Sequence, residues 1–350
     1  MYIHLGERQL VNFASNDYLG LSFHPYVCTA ARDAIDNHGL GSGASRLVSG
    51  DDPMLHTLEA RLAHWKGYQS CLIVGSGMLA NIGLLQALAN RHTHIFADKL
   101  NHASLVDGVL LSNATSHRFG HLNTEQLDQL LNAHAAEKRI IVTDGVFSMD
   151  GDCADLNRLL QLAEQHETLL LIDDAHGTGT VGTEGRGLSS EYGIAGHSRL
   201  IEVGTFGKAF GSYGAFILGT HELIDGLRQR LRTMIYSTAL PVAVIAAADA
   251  ALTLIQSGEA VQDLQDRLSY FRRQAADLPI TSSTTAIQPL ILGSNEHALQ
   301  AAADLREAGF FVPAIRPPTV PEGTARLRIT ISVAHTFEQI NQLIGALRKL

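Results

Sequence analysis

A chain of 350 residues, 45% of them hydrophobic, is long enough for two domains with sizeable cores, on a prior of about 150 residues per domain. Its 26 lysines and arginines against 35 acidic residues leave a net charge of −9, which excludes a basic surplus for a nucleic-acid backbone and demands a local cationic pocket for any anionic ligand. Cys28, Cys71 and Cys153 lack metal-ligand spacing, the start lacks the blocks of a signal peptide, and the apolar stretch 241–255, interrupted by Asp249, is too short for a membrane span. A cytoplasmic protein without a metal or a membrane partner is expected.

Residues 11–20 pass from strand-like alternation into turn chemistry at Asn16-Asp17. The segment 39–50 is too glycine-rich for a helix or strand, and it lacks the strand-then-glycine pattern of a dinucleotide site. A buried strand at 71–74 enters the turn Gly75-Ser76-Gly77-Met78, which opens a helix to residue 88. Such a turn bares backbone N–H groups that suit an anion, or it is simply tight. Short strands at 94–97 and 139–143 lead into loops carrying His102, Asp144 and Ser148. A helix over 155–166 precedes the apolar run that ends in Asp173-Asp174-Ala175-His176.

After a strand at 200–203 comes Thr205-Phe206-Gly207-Lys208-Ala209-Phe210-Gly211, tight irregular backbone that presents the Lys208 amine to a ligand. An amine that attacks a carbonyl must be partly neutral, so this lysine calls for a desolvated or cation-flanked pocket. With a further strand at 214–219, strands alternating with helices predict a mainly parallel sheet covered on both faces, with ligands at the carboxyl ends of the strands. Gly77, Asp144, Ser148, Asp173 and Lys208 all fall at such ends.

Residues 236–241 mark a boundary. Amphipathic helices, strands at 287–292 and 326–331 and a closing helix at 337–349 predict a smaller α+β unit. The expected division is an N-terminal segment, 1–35, packing on the small domain; a large domain, 36–240; and a small C-terminal domain, 241–350. Pro317 and Pro318 predict a rigid extended backbone before Thr319, and Arg326 and Arg328, two apart in a strand, share a face.

Taken together, Asn101-His102-Ala103-Ser104, Asp173-Asp174-Ala175-His176-Gly177-Thr178-Gly179 and Thr205-x-x-Lys208-x-x-Gly211 resemble the α-oxoamine synthases, enzymes that depend on pyridoxal 5'-phosphate (PLP), from about Val11 to the C-terminus. The resemblance implies a PLP-dependent transferase of fold type I, with a seven-stranded sheet in its large domain. It implies that Lys208 carries the cofactor and moves a substrate proton, and that Asp173 pairs with the pyridine nitrogen. His102 stacks on the ring, His176 bonds its oxygen, and Thr205 contacts the phosphate. Gly77, Met78 and Ser148 complete the cofactor site, with Met78 standing where relatives carry an aromatic. Asn16, His102, Thr319 and Arg328 meet the substrates, Arg328 by forking onto an amino-acid carboxylate.

The implied reaction is decarboxylative condensation, with L-alanine and pimeloyl-CoA or a pimeloyl carrier protein favoured by the 317–321 stretch. Glycine with acetyl-CoA, or a PLP-binding protein without turnover, are the alternatives. The resemblance further implies a homodimer with shared sites, in which Ser237 or Thr238 reaches the neighbour's phosphate or else caps a helix. Relatives carry another helix with a substrate-binding arginine before the Val11 segment, so a shortened start with weaker acyl-CoA recognition is expected.

Overall fold

The computed structural model describes residues 2–350. The chain opens with an antiparallel hairpin, β1 (Tyr2–Leu5) and β2 (Arg8–Asn12). The apolar runs of the next two hundred residues form β3 (Ser70–Val74), β4 (Thr93–Asp98), β5 (Thr115–Phe119), β6 (Lys138–Asp144), β7 (Leu169–Asp173), β8 (Leu200–Thr205) and β9 (Ala215–Gly219). They make one seven-stranded sheet in the order β3-β9-β8-β7-β6-β4-β5. Only β9 runs against its neighbours. Helices cover both faces, which is why Ile140, Ile141, Val142, Leu170, Leu171 and Ile172 are buried without any alternation.

The winding reverses once. From β4 the chain steps outward to β5, whereas β6, β7 and β8 follow one another in the opposite direction. The switch lies between β4 and β6, and a crevice opens there at the carboxyl ends of the strands. Helices Gly77–Leu88 and Ala103–Leu111 close against each other beside it. Gly108 permits this approach, since a Cβ there would lie 2.8 Å from Leu85 Cδ1 and 3.0 Å from the Asn81 carbonyl oxygen.

The C-terminal portion supplies β10 (Ile287–Gly293), β11 (Phe310–Phe311), β12 (Ala314–Ile315) and β13 (Ala325–Thr330). Three of these form an antiparallel sheet in the order β10-β13-β12, while β11 pairs in parallel with β2. Residues 11–20 are thereby strapped to the end of the chain: Thr330 N–H bonds the Phe13 carbonyl at 2.8 Å, and Val333 N–H bonds that of Tyr18 at 2.9 Å.

Three segments depart from expectation. β5 is a polar edge strand with four of its five side chains at least partly exposed, so it carries no apolar run to betray it. The glycine-rich segment contains a π-helical turn, Arg46–Gly50, because the buried Arg46 guanidinium anchors it to Asp51 at 2.8 Å and to Glu59 at 2.5 Å. Residues 316–319 turn instead of extending: the Pro317-Pro318 peptide is cis, and Thr319 N–H bonds back to the Arg316 carbonyl at 3.1 Å.

Candidate active site

Lys208 sits in a turn fastened at both ends. Phe206 N–H bonds the Gly214 carbonyl, Ser212 N–H bonds that of Phe206, and the flanking Phe206 and Phe210 rings are fully buried. Gly211, at φ 62°, lies so close to the chain that a Cβ would come within 2.2 Å of Ser22 N, so the tightness is obligatory. The Thr205 hydroxyl belongs to the same turn, donating to the Gly214 carbonyl at 3.0 Å and accepting from Gly207 N–H at 3.1 Å. Lys208 retains some access to solvent yet is surrounded by protein, within reach of the Asp173, Asp144 and Arg328 charges. Burial pulls its amine down to about 8, against the upward pull of Asp173 and Asp144 and with help from the Arg328 charge.

Asp144 and Asp173 end adjacent parallel strands in direct register, so their buried side chains project to the same face. Asp173 is held by Asn81 Nδ2 at 2.6 Å and by Ala175 N–H at 3.0 Å. Asp144 accepts from His102 N–H at 2.7 Å. Burial first, and the neighbouring Asp173 charge second, push the Asp144 carboxyl well above the ordinary range. The site therefore presents two buried carboxyl groups in register, with the Asp144 one pushed toward its neutral form.

Asn81 also donates to Ser104 Oγ at 2.8 Å, and Ser104 Oγ lies 2.8 Å from His102 Nδ1. A continuous chain of hydrogen bonds thus runs from Asp173 to the imidazole. His102 caps helix Ala103–Leu111 by accepting from Ser104 N–H, which leaves Nε2 to carry its ring proton and turns the exposed ring toward the cleft.

A second chain enters from the strapped segment. Arg328 Nη2 donates to Asn16 Oδ1 at 3.1 Å, Tyr18 Oη donates to the same oxygen at 3.1 Å, and His176 Nδ1 lies 2.6 Å from Tyr18 Oη. Tyr18 has one proton, and burial raises it to about 12 despite Arg328. With that proton on Asn16, the phenol oxygen accepts from His176 Nδ1–H and leaves Nε2 bare. Burial, then the Lys208, Arg328 and His102 charges, keep His176 well below its usual value, hence neutral.

Arg328 is itself buried, with Nε on the Ser148 carbonyl at 2.6 Å and Nη1 on Thr330 Oγ1 at 2.9 Å. Among the described residues no carboxylate lies within salt-bridge distance of it, whereas Arg326, on the same face, is paired with Asp150. Ser148 and Thr319 line, with His102, an adjoining cavity of about 540 Å³. Gly77 and Met78 open their helix behind the Ser76 cap, and the Met78 thioether is exposed. Gly75, Ser237 and Thr238 share a small recess nearby.

Tyr18 and Asn81 carry no role in the sequence reading, and Ser104 enters it only as part of the Asn101-His102-Ala103-Ser104 motif. An asparagine inside a leucine-rich helix was the available signal, because a buried amide needs partners.

The profile of the class I and II aminotransferases matches residues 8–347. The chain belongs to that family. Within the class I and II aminotransferases, it is 48% identical over 340 residues to the 8-amino-7-oxononanoate synthase of Methylococcus capsulatus, covering 96% of this chain and 88% of the relative. Among solved members, a serine palmitoyltransferase from S. paucimobilis with a bound PLP–myriocin adduct superposes with a TM-score of 0.95 at 28% identity, covering 99% of this chain and 89% of that one. The 8-amino-7-oxononanoate synthase of Francisella tularensis does so with a TM-score of 0.85 at 29% identity, covering 97% of both chains.

Proposed function

We infer that this chain is a PLP-dependent acyltransferase that condenses L-alanine with pimeloyl-CoA, or with a pimeloyl carrier protein, to give 8-amino-7-oxononanoate, CO2 and the free thiol. The observation that carries the reading is a buried cluster in which the Lys208 amine feels the charges of Asp173, Asp144 and Arg328, the two carboxyl groups stand in register on adjacent strands, and Arg328 has no carboxylate partner among the described residues. PLP fits these groups. Two face-to-face carboxyl groups call for a cation such as a protonated pyridine nitrogen, and Asn81 Oδ1, buried beside them, has no partner. When bound, the cofactor supplies a ring that accepts the electron pair left as a proton or CO2 departs from the amino-acid α-carbon.

The chain's own residues do the rest. Lys208 Nζ, half neutral at about pH 8, would hold the cofactor through its aldehyde and would serve as the base for the substrate's α-proton. Asp173, oriented by Asn81, would pair with the ring nitrogen and keep it protonated, His102 would border the ring, and His176, through its free Nε2, would accept from the ring hydroxyl. Thr205, Gly77, Met78 and Ser148 shape the phosphate and ring contacts, with Thr205 acting through the turn that presents Lys208. Arg328, steadied by Asn16, grips the alanine carboxylate, and Thr319 borders the acyl chain. The cavity of about 540 Å³ suits a seven-carbon acyl group better than an acetyl group.

The reading keeps the division at residues 35 and 240, with support from the β2–β11 pairing. It also keeps a homodimer, supported by the exposed Leu40, Leu47, Val48 and Tyr236 side chains. The three free cysteines suit a cytoplasmic setting. Among the described residues no single helix is long and apolar enough to cross a membrane.

The test is turnover by PLP-loaded protein with alanine plus pimeloyl-CoA, against glycine plus acetyl-CoA. Formation of 8-amino-7-oxononanoate, lost in Lys208→Ala, is expected. Turnover with the second pair alone overturns the assignment.

A further inference from the structure

The cavity that borders His102, Ser148 and Thr319 has a feature that the condensation chemistry leaves unused. Its walls include the apolar Val106, Phe147 and Val320, and the same cavity is lined by two cations, Lys99 and Arg118. Edge strand β5 brings Arg118 there: it pairs in register with Ala97, one residue short of the carboxyl end of β4, and its Nη2 donates to the Lys99 carbonyl at 2.7 Å. Neither cation has a carboxylate within salt-bridge distance among the described residues. Of the acidic groups lining the cavity, Asp150 is occupied by Arg326, and Asp107 is the remaining one. Asp98, behind the loop, is held by His121. A cavity bordered by His102, walled by apolar side chains and carrying two unpaired cations fits an acyl chain with an anion at its tip.

Resting on the acyltransfer reading above, we propose that Lys99 and Arg118 recognise the distal carboxylate of the acyl donor and make the enzyme selective for an ω-carboxyacyl thioester over a plain fatty acyl one. Six carbon–carbon bonds separate the thioester carbon of a pimeloyl group from its far carboxyl carbon, about 7.5 Å when extended, which is within the about 11 Å that three residues of backbone, His102 to Lys99, span at most. A guanidinium and an ammonium lining one cavity suit a carboxylate, the first by forking onto both oxygens and the second as a point charge.

The experiment compares kcat/KM for pimeloyl-CoA and heptanoyl-CoA, of equal length but without the terminal carboxylate, in the PLP-loaded wild type and in Arg118→Met and Lys99→Met. Both side chains are exposed, so the variants are expected to fold, and an unchanged alanine-induced absorbance shift verifies it. The wild type should favour pimeloyl-CoA, and the pimeloyl-to-heptanoyl ratio should fall at least tenfold in each variant. An equal loss with both donors assigns the cations to the phosphates of CoA and overturns the proposal, as does an unchanged ratio without loss. A wild type that binds PLP and alanine yet turns over neither donor sinks the acyltransfer reading itself, and this inference with it.

Discussion

Replacing Arg328 separates substrate binding from cofactor binding. Its three nitrogens are fixed by Ser148, Thr330 and Asn16, and its charge has no carboxylate partner among the described residues. A buried cation in that condition is relieved when an amino-acid carboxylate arrives, and the fork accepts both oxygens. Arg328→Lys keeps the charge and loses the second prong, worth about 1.5–3 kcal/mol for one charge-assisted hydrogen bond, or roughly 10- to 150-fold in alanine affinity. Arg328→Met removes both prongs, and at about 3–5 kcal/mol the loss reaches roughly 150- to 4,000-fold. Alanine is titrated into PLP-loaded protein while the cofactor's absorbance is followed, and KM is measured alongside. PLP uptake should be unchanged in both variants. Alanine affinity within threefold of wild type in Arg328→Met, or a defect confined to PLP uptake, would refute the reasoning.

Covalent capture of PLP by the apo-protein should quicken with rising pH through a midpoint near pH 8, where the Lys208 amine is half neutral, and then level off, as stopped-flow absorbance would show; a midpoint at the ordinary lysine value of about 10.4 contradicts the burial of Lys208. Tyr18→Phe strands Nδ1 of His176, so alanine-loaded enzyme should show a shifted cofactor band and a loss of about 1–3 kcal/mol in kcat/KM, while an unaltered spectrum breaks the proposed chain from Asn16 to His176. For His121, burial pulls downward, but hydrogen bonds and charges from Asp152 and Asp98 overcome it and raise the imidazole to about 9. Its stabilisation is complete below the unfolded value of about 6.5 and is lost as pH climbs through about 9, at most about 3 kcal/mol; urea unfolding at pH 6 and pH 9.5 should show that difference in wild type and not in His121→Gln. Lys66→Met leaves Asp174 and Glu202 buried together without their cation, and unfolding free energy should drop by about 3–5 kcal/mol; a drop below about 1 kcal/mol refutes the ion cluster's role.

Much of this arrangement is legible in the residues because parallel strands buried on both faces are written as unbroken apolar runs, and the loops after them carry the chemistry. Lys208, Asp173 and His102 stand in such loops or at the ends of such strands. β5 is not legible in this way, since an edge strand facing solvent has no such run. Tyr18 and Asn81 escaped for a different reason: their importance lies in partners 158 and 92 residues away, His176 and Asp173, and no local pattern encodes them. The proline pair at 317–318 misled in its conformation, because fixing φ leaves the peptide bond before the second proline free to choose either isomer.

The strap of residues 11–20 across β13 has a consequence for biogenesis. Asn16 and Arg328, which meet at 3.1 Å, are made 312 residues apart, whereas Lys208, Asp173 and His102 are all present once two-thirds of the chain has been synthesised. Lys208, Asp173 and His102 are therefore made well before the arginine that closes the cleft. A C-terminally clipped polypeptide that lacks β13 loses the Asn16–Arg328 contact and should bind alanine less tightly than the full chain, as titration would show.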